Sequence, residues 1–265
     1  MKKLITILLV LLLAACSGNK AAEDTATDTE MSDMEYIIDK GTLVVGITDF
    51  EPMDYRDENG EWIGFDADIA RKVAEDLGVK VEFVEIKWDN KILELENKSI
   101  DVVWNGMTLT DEVKNAMETT NAYCNNSQVV VMRSEVLAQV KEISDMEALQ
   151  FAVEAGSAGE GAAKDNGFNY IAVSSQADAF LEVMSGTSDA CIVDLLMASA
   201  LTGEGSSYES LSYGFPLTDE EYGVGCRKGS DLAAYINDDF KVFWNDGSLK
   251  ETAEKYGVEE LLVAQ

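Results

Sequence analysis

The spacing of apolar residues changes along the chain, and each change predicts an element. Leu43–Ile47 is a compact apolar run just after Gly41, the pattern of a buried strand. From Gly64-Phe65-Asp66 the period lengthens, with Ile69, Val73 and Leu77 four residues apart, which predicts a helix. Asp66 is its expected N-cap and Gly78 its C′ residue. Val79–Ile86 alternates as a strand does, Lys91–Asn97 suits a short helix, and Ile100–Trp104 reads as another buried strand. Further strands are predicted at Val129–Met132, Phe151–Val153, Tyr170–Val173 and Ala190–Val193, with a helix over Ala177–Met184. Leu232–Trp244 and Leu249–Tyr256 are amphipathic at helical spacing. Strands alternating with helices imply an α/β fold with parallel sheets covered on both faces. No repeat of fixed period is present.

Two segments near the N-terminus do not belong to this pattern. Met1-Lys2-Lys3 is followed by Leu4–Leu13, an almost purely apolar run of ten residues. A bilayer span needs about 20, so the run suits an export signal over residues 1–15. It ends in Leu13-Ala14-Ala15-Cys16, which resembles a bacterial lipobox with cleavage before a lipidated Cys16; the alternative is a plain secretory signal with an incidental cysteine. Residues 17–35 carry six acids, one Lys and no large aliphatic or aromatic side chain, so residues 16–35 are expected to form a flexible acidic tether; the alternative is a short surface helix near its C-terminal end.

Composition narrows the function. Of 265 residues, 50 are Asp or Glu and 20 are Lys or Arg, a formal charge of −30 that repels phosphate backbones and excludes nucleic acid as a partner. Histidine is absent, which removes Ser–His and Cys–His nucleophiles and most catalytic zinc sites. Cys124, Cys191 and Cys226 have no metal-ligand spacing; they are small packing residues, or Cys124 pairs with Cys226. No metal or cofactor is expected.

Several segments together resemble the extracellular solute-binding proteins of ABC importers, in the polar amino-acid-binding family. They are GTLVVGITDFEPMDY (41–55), GEWIGFDADIARKVAEDLG (60–78), DVVWNGMTLTDE (101–112), GSAGEG (156–161), SDACIVD (188–194) and YGVGCRKGSDL (222–232). The resemblance implies a two-lobed type II periplasmic-binding-protein fold with two hinge strands. Lobe one would hold residues 36–124 and 221–265, and lobe two residues 125–220. The chain would cross near Tyr123–Ser127 and return near Leu217–Tyr222. A solute would lie in the interlobe cleft, at the carboxyl ends of strands, and be delivered to a membrane permease by a monomer held through its lipid anchor.

The resemblance also implies a set of ligand-binding residues. In the loop Thr48-Asp49-Phe50 an acid or carbonyl would meet the ligand ammonium, and Phe50 would cover its side chain, with Trp88 as a second aromatic face. Both aromatics are otherwise ordinary core residues. Asn105-Gly106-Met107-Thr108 would offer the Gly106 and Thr108 amides and the Thr108 hydroxyl to a carboxylate; the plainer reading is a turn with Thr110 capping a helix. Ser157 and Ala158, in the loop Gly156–Gly159 before a helix, would supply amides to the same anion. Asp194 would accept the ligand ammonium, and would also suit the N-cap of a helix from Leu195.

One position departs from the family. Where relatives carry an Arg that pairs with the ligand carboxylate, this chain has Val113, and none of Arg56, Arg71, Arg133 or Arg227 stands nearby in sequence. Glu154 occupies a position where some relatives carry Lys. With Asp49, Glu154 and Asp194 unopposed, the expected ligand bears an amine and is net neutral or cationic. The runner-up is a neutral amino acid held by backbone donors. Two other functions remain open: a surface receptor or adhesin without transport, and a dehydratase-like enzyme using Glu154, Asp194 or Tyr123 as acid or base.

Overall fold

A computed structural model describes residues 31–265. The expected signal peptide and Cys16 fall outside the described residues. The first sheet is ordered by strands Lys80–Glu85, Thr42–Ile47, Val102–Thr108, Glu220–Cys226 and Glu118–Thr119. Thr42–Ile47 runs parallel to both of its neighbours, whereas Glu220–Cys226 is antiparallel to Val102–Thr108. The second sheet has the order Asn169–Val173, Gln150–Glu154, Ala190–Asp194, Gln128–Arg133, Leu211–Pro216. Its first three strands are parallel and the last two antiparallel to their neighbours. Both sheets are thus mixed, where the alternation of elements predicts parallel ones.

The antiparallel strands are those that enter and leave the second lobe. Cys124–Asn126 lies beside Glu220–Tyr222 in antiparallel register, then continues into Gln128–Arg133, while Leu211–Pro216 returns to Glu220. Two adjacent strands therefore join the lobes. A strand that must return to its own lobe beside the outgoing one has to run against it.

The five helices expected from apolar periodicity all form. Phe65–Asp76 buries Phe65, Ile69 and Val73 against the first sheet, and Gln176–Ser185 buries Ala179, Phe180 and Val183 against the second. Asp66 is not the N-cap of its helix. Gly64 holds that place, and the Asp66 side chain turns into the interior, fully buried.

The flexible tether expected over residues 16–35 is contradicted at its C-terminal end. A helix, Asp33–Lys40, begins inside it through a capping box between Ser32 and Glu35. Apolar content missing from residues 17–35 is supplied further on by Ile37, which is completely buried. Ion pairs dock the helix: Arg227 holds Asp33 at 2.9 Å, and Lys40 reaches Asp101 at 2.6 Å. Cys124, Cys191 and Cys226 are buried free thiols, so Cys124 and Cys226 do not pair. None of the helices among the described residues is long and apolar enough to cross a membrane.

Asp101 is completely buried and accepts from Lys40, Arg227 and the Val44 amide. Asp101→Asn would leave Lys40 without its counter-ion and Arg227 with Asp33 alone, and should lower stability by about 3–5 kcal/mol in urea unfolding.

Candidate functional site

Between the lobes lies a cavity of about 830 Å³. The carboxyl ends of three strands, Val102–Thr108, Gln150–Glu154 and Ala190–Asp194, deliver side chains to it. Of the residues singled out in the sequence, Thr48, Phe50, Trp88, Asn105, Gly106, Thr108, Glu154, Ser157, Ala158 and Asp194 line it. Asp49 does not; it is exposed, and partial desolvation, with the neighbouring Glu85 carboxylate, raises its pKa.

The loop of lobe one is set by a chain of buried polar groups. Asn105 Oδ1 accepts from the Thr48 amide at 2.5 Å and the Thr48 hydroxyl at 2.7 Å, while its Nδ2 donates to Asp54 at 3.0 Å. Asn105 is therefore spent on positioning the loop. Gly106 lies under Phe50: it has φ +53°, and a Cβ there would come within 2.5 Å of the ring. Phe50 in turn meets Tyr222 edge to face, with centroids 6.3 Å apart. Trp88 and Val113 are buried walls of the same cavity, and Thr110 caps the helix Asp111–Ala116 as its sequence suggests.

Two of the donors expected for a ligand carboxylate have protein acceptors. The Gly106 amide donates to Asp66 at 2.6 Å, and the Thr108 hydroxyl donates to Glu220 at 3.0 Å. In lobe two the Gly156 amide donates to Glu160 at 2.8 Å, and Ser157 Oγ accepts from the Glu160 amide at 3.1 Å. What remains at that helix start are the amides of its first turn, Ala158 and Gly159, which helix geometry leaves without intrahelical partners.

Asp194 sits at the centre of a network of neutral donors. Its Oδ1 accepts from Asn126 at 2.5 Å, Gln128 at 2.8 Å and Tyr222 at 2.6 Å, and its Oδ2 from Gln176 at 2.6 Å. Although Asp194 holds the N-cap position of Leu195–Leu201, its side chain makes no capping bond. Burial and the neighbouring Glu220 push its pKa up to about 7, against the pull of these hydrogen bonds. Glu220 shares the same amides, accepting from Asn126 at 3.2 Å and Gln128 at 3.0 Å. Glu154 is 3% exposed, one of its carboxyl oxygens meets no donor, and burial beside Asp194 pushes its pKa up to about 8.

Sequence reasoning misses two charged residues. Lys91 is buried in the cavity wall, its Nζ donating to Gly156 O at 2.9 Å across the cleft and lying 4.8 Å from the Trp88 ring centroid. Burial lowers its pKa. Its spacing of three from Trp88 on a helical segment was the available signal. Glu220 had no such signal, since Asp219, Glu220 and Glu221 are alike in sequence. None of the four arginines lines the cavity: Arg227 binds Asp33 and Asp101, Arg71 binds Asp68, Arg133 binds Met184 O, and Arg56 covers Trp62. Tyr123 is likewise outside the lining, its hydroxyl donating to Asp66 at 2.7 Å.

Comparison with known proteins gives consistent matches. The family model described as bacterial extracellular solute-binding proteins, family 3, matches residues 43–259. An ABC transporter glutamine-binding protein of Bacillus subtilis is 28% identical over 263 residues, covering 96% of this chain and 94% of its own. An ABC uptake transporter substrate-binding protein from Streptococcus pneumoniae, solved with bound histidine, superposes with a TM-score of 0.79 at 25% identity, covering 88% of this chain and 98% of that one. An ancestral amino acid-binding protein, a precursor of cyclohexadienyl dehydratase, superposes with a TM-score of 0.78 at 32% identity, covering 85% and 99%.

Four carboxyls around the cleft, Asp54, Asp66, Glu154 and Asp194, have pKa values raised by burial, with Asp66 at about 7 and Asp54 raised further by Asp66 beside it. Above the ordinary carboxylate range the folded protein keeps protons that the unfolded chain has lost. Stability should therefore fall as pH rises from about 4 through about 8, by up to about 1.4 kcal/mol per pH unit for each group. Urea midpoints at pH 5 and pH 8 read this fall, and Asp54→Asn should flatten it.

Proposed function

This chain belongs to the bacterial extracellular solute-binding proteins of family 3, and we propose that it captures an amine-bearing, net neutral or cationic solute for an ABC permease. Lobes formed by 36–124 with 221–265, and by 125–220, would close on the solute. The observation that carries this reading is the fate of the carboxylate donors. Val113 replaces an arginine, and the Gly106 amide, Thr108 hydroxyl and Gly156 amide are directed at protein carboxylates. A ligand carboxylate would meet Lys91 and the first-turn amides of one helix, while facing Glu154, Asp194 and Glu220. An ammonium meets the reverse: three acids and the π faces of Phe50 and Trp88. Relatives that bind glutamine and histidine support an amino acid or a related amine as the solute class.

Binding without turnover is the reading the site favours. Asp194 is saturated by amides and a phenol, and Tyr123 is turned away from the cavity toward Asp66. Product analysis after long incubation with candidate acids tests it, and any enzyme-dependent conversion would overturn it. We place the protein at the outer face of the cytoplasmic membrane, anchored through Cys16 and acting as a monomer.

Calorimetry against glutamate, glutamine, arginine and a carboxylate-free amine should rank glutamate last. Asp194→Asn should weaken amine binding by about 2–4 kcal/mol. Val113→Arg should improve glutamate binding and weaken that of the amine; tight glutamate binding by the parent protein would refute the charge argument. Cys16→Ser should abolish incorporation of labelled lipid and release the chain from membranes.

A further inference from the structure

We propose that Glu154 forms a second cationic subsite, so that the captured solute is a dication of the diamine class with an apolar chain between its charged ends. This rests on the reading of the cleft as an amine site. Glu154 ends the strand Gln150–Glu154, which lies beside the strand ending in Asp194, and both carboxylates line the same cavity. Their surroundings differ in one respect. The amides of Asn126, Gln128 and Gln176 converge on Asp194, whereas a carboxyl oxygen of Glu154 is buried with no donor at all. A buried acid of that kind is costly unless something brought by the ligand meets it.

The neighbouring cation does not fill the gap. Lys91 faces Glu154 but donates to Gly156 O at 2.9 Å and Trp88 O at 3.2 Å. The other charged groups facing Glu154 are Asp194, Asp178 and Asp89, all acids. Glu154, Asp194 and Glu220 against Lys91 leave the inner cleft with an excess of two negative charges once every group is ionised. Phe50, Trp88, Met107 and Val113 supply apolar wall for a methylene chain. One ammonium would sit at Asp194 and Glu220, and the other would meet Glu154, displacing its proton to solvent.

The test is calorimetry on the intact protein with 1,4-diaminobutane, 1,5-diaminopentane, 1-aminobutane and glutamine. At least one diamine should bind more tightly than 1-aminobutane by about tenfold or more, the effect of one additional charge-assisted hydrogen bond. Since Glu154 titrates at about 8, that advantage should grow between pH 7 and pH 9, with proton release seen in buffers of different ionisation enthalpy. Glu154→Gln should erase the diamine advantage and its pH dependence, weakening the diamines by more than it weakens 1-aminobutane. Equal affinities for 1-aminobutane and both diamines in the parent protein would overturn the second subsite and leave the amine reading standing. Glutamine binding with no binding of the three amines would overturn the second subsite and leave the reading of an amine-bearing solute standing, whereas a folded protein that binds none of the four would overturn both.

Discussion

Asp194 has been taken out of water without meeting a cation, and much of the cleft is arranged around that fact. Burial of a carboxylate costs several kcal/mol unless hydrogen bonds replace its hydration. Here the replacement comes from Asn126, Gln128 and Gln176 and from the Tyr222 hydroxyl. Asn126 and Tyr222 stand on the two strands that join the lobes, and Gln128 opens the strand that follows. Satisfying one acid therefore ties the hinge to the floor of lobe two. Glu220, on the returning strand, draws on the same amides and on Thr108 of lobe one. The acid network and the hinge are one structure, so ligand charge and lobe position are physically linked.

A second buried network plays the matching part in lobe one. Asp66 receives the Gly106 amide and the Tyr123 hydroxyl, and Asp54 receives Asn105, which also grips Thr48. These bonds hold the loop that carries Phe50 over Gly106. The same bonds remove from the cavity donors that an anion would need. Positioning of the aromatic wall and the loss of these donors to the cavity thus arise from one set of contacts.

Closure is seen at the edge where the lobes touch. Gly156 of lobe two lies so near Asp89 of lobe one that a Cβ would come within 2.9 Å of the Asp89 backbone, and Lys91 bridges to the Gly156 carbonyl. Lys91 is largely desolvated there, which lowers its pKa and makes it a weak counterweight to three acids. The charge balance of the cleft is consequently decided by groups from both lobes, and it exists as such only when they meet.

The sequence by itself determined the α/β alternation, because apolar period is a local property: Ile69, Val73 and Leu77 mark a helix whatever they pack against. It also brought Phe50, Trp88, Asn105, Glu154 and Asp194 into view, as residues at strand ends inside recognisable segments, together with the departure at Val113. Only the tertiary structure decided where their hydrogen bonds go. Asp66 looks like a helix cap in sequence, yet it is a buried acceptor for the amide of Gly106, forty residues further along the chain and beyond any local rule. The antiparallel hinge strands follow from the chain having to return to its first lobe. Glu220 and Lys91 became site residues because hinge pairing and lobe closure carried them there, and no local pattern records a contact between residues so far apart in the chain.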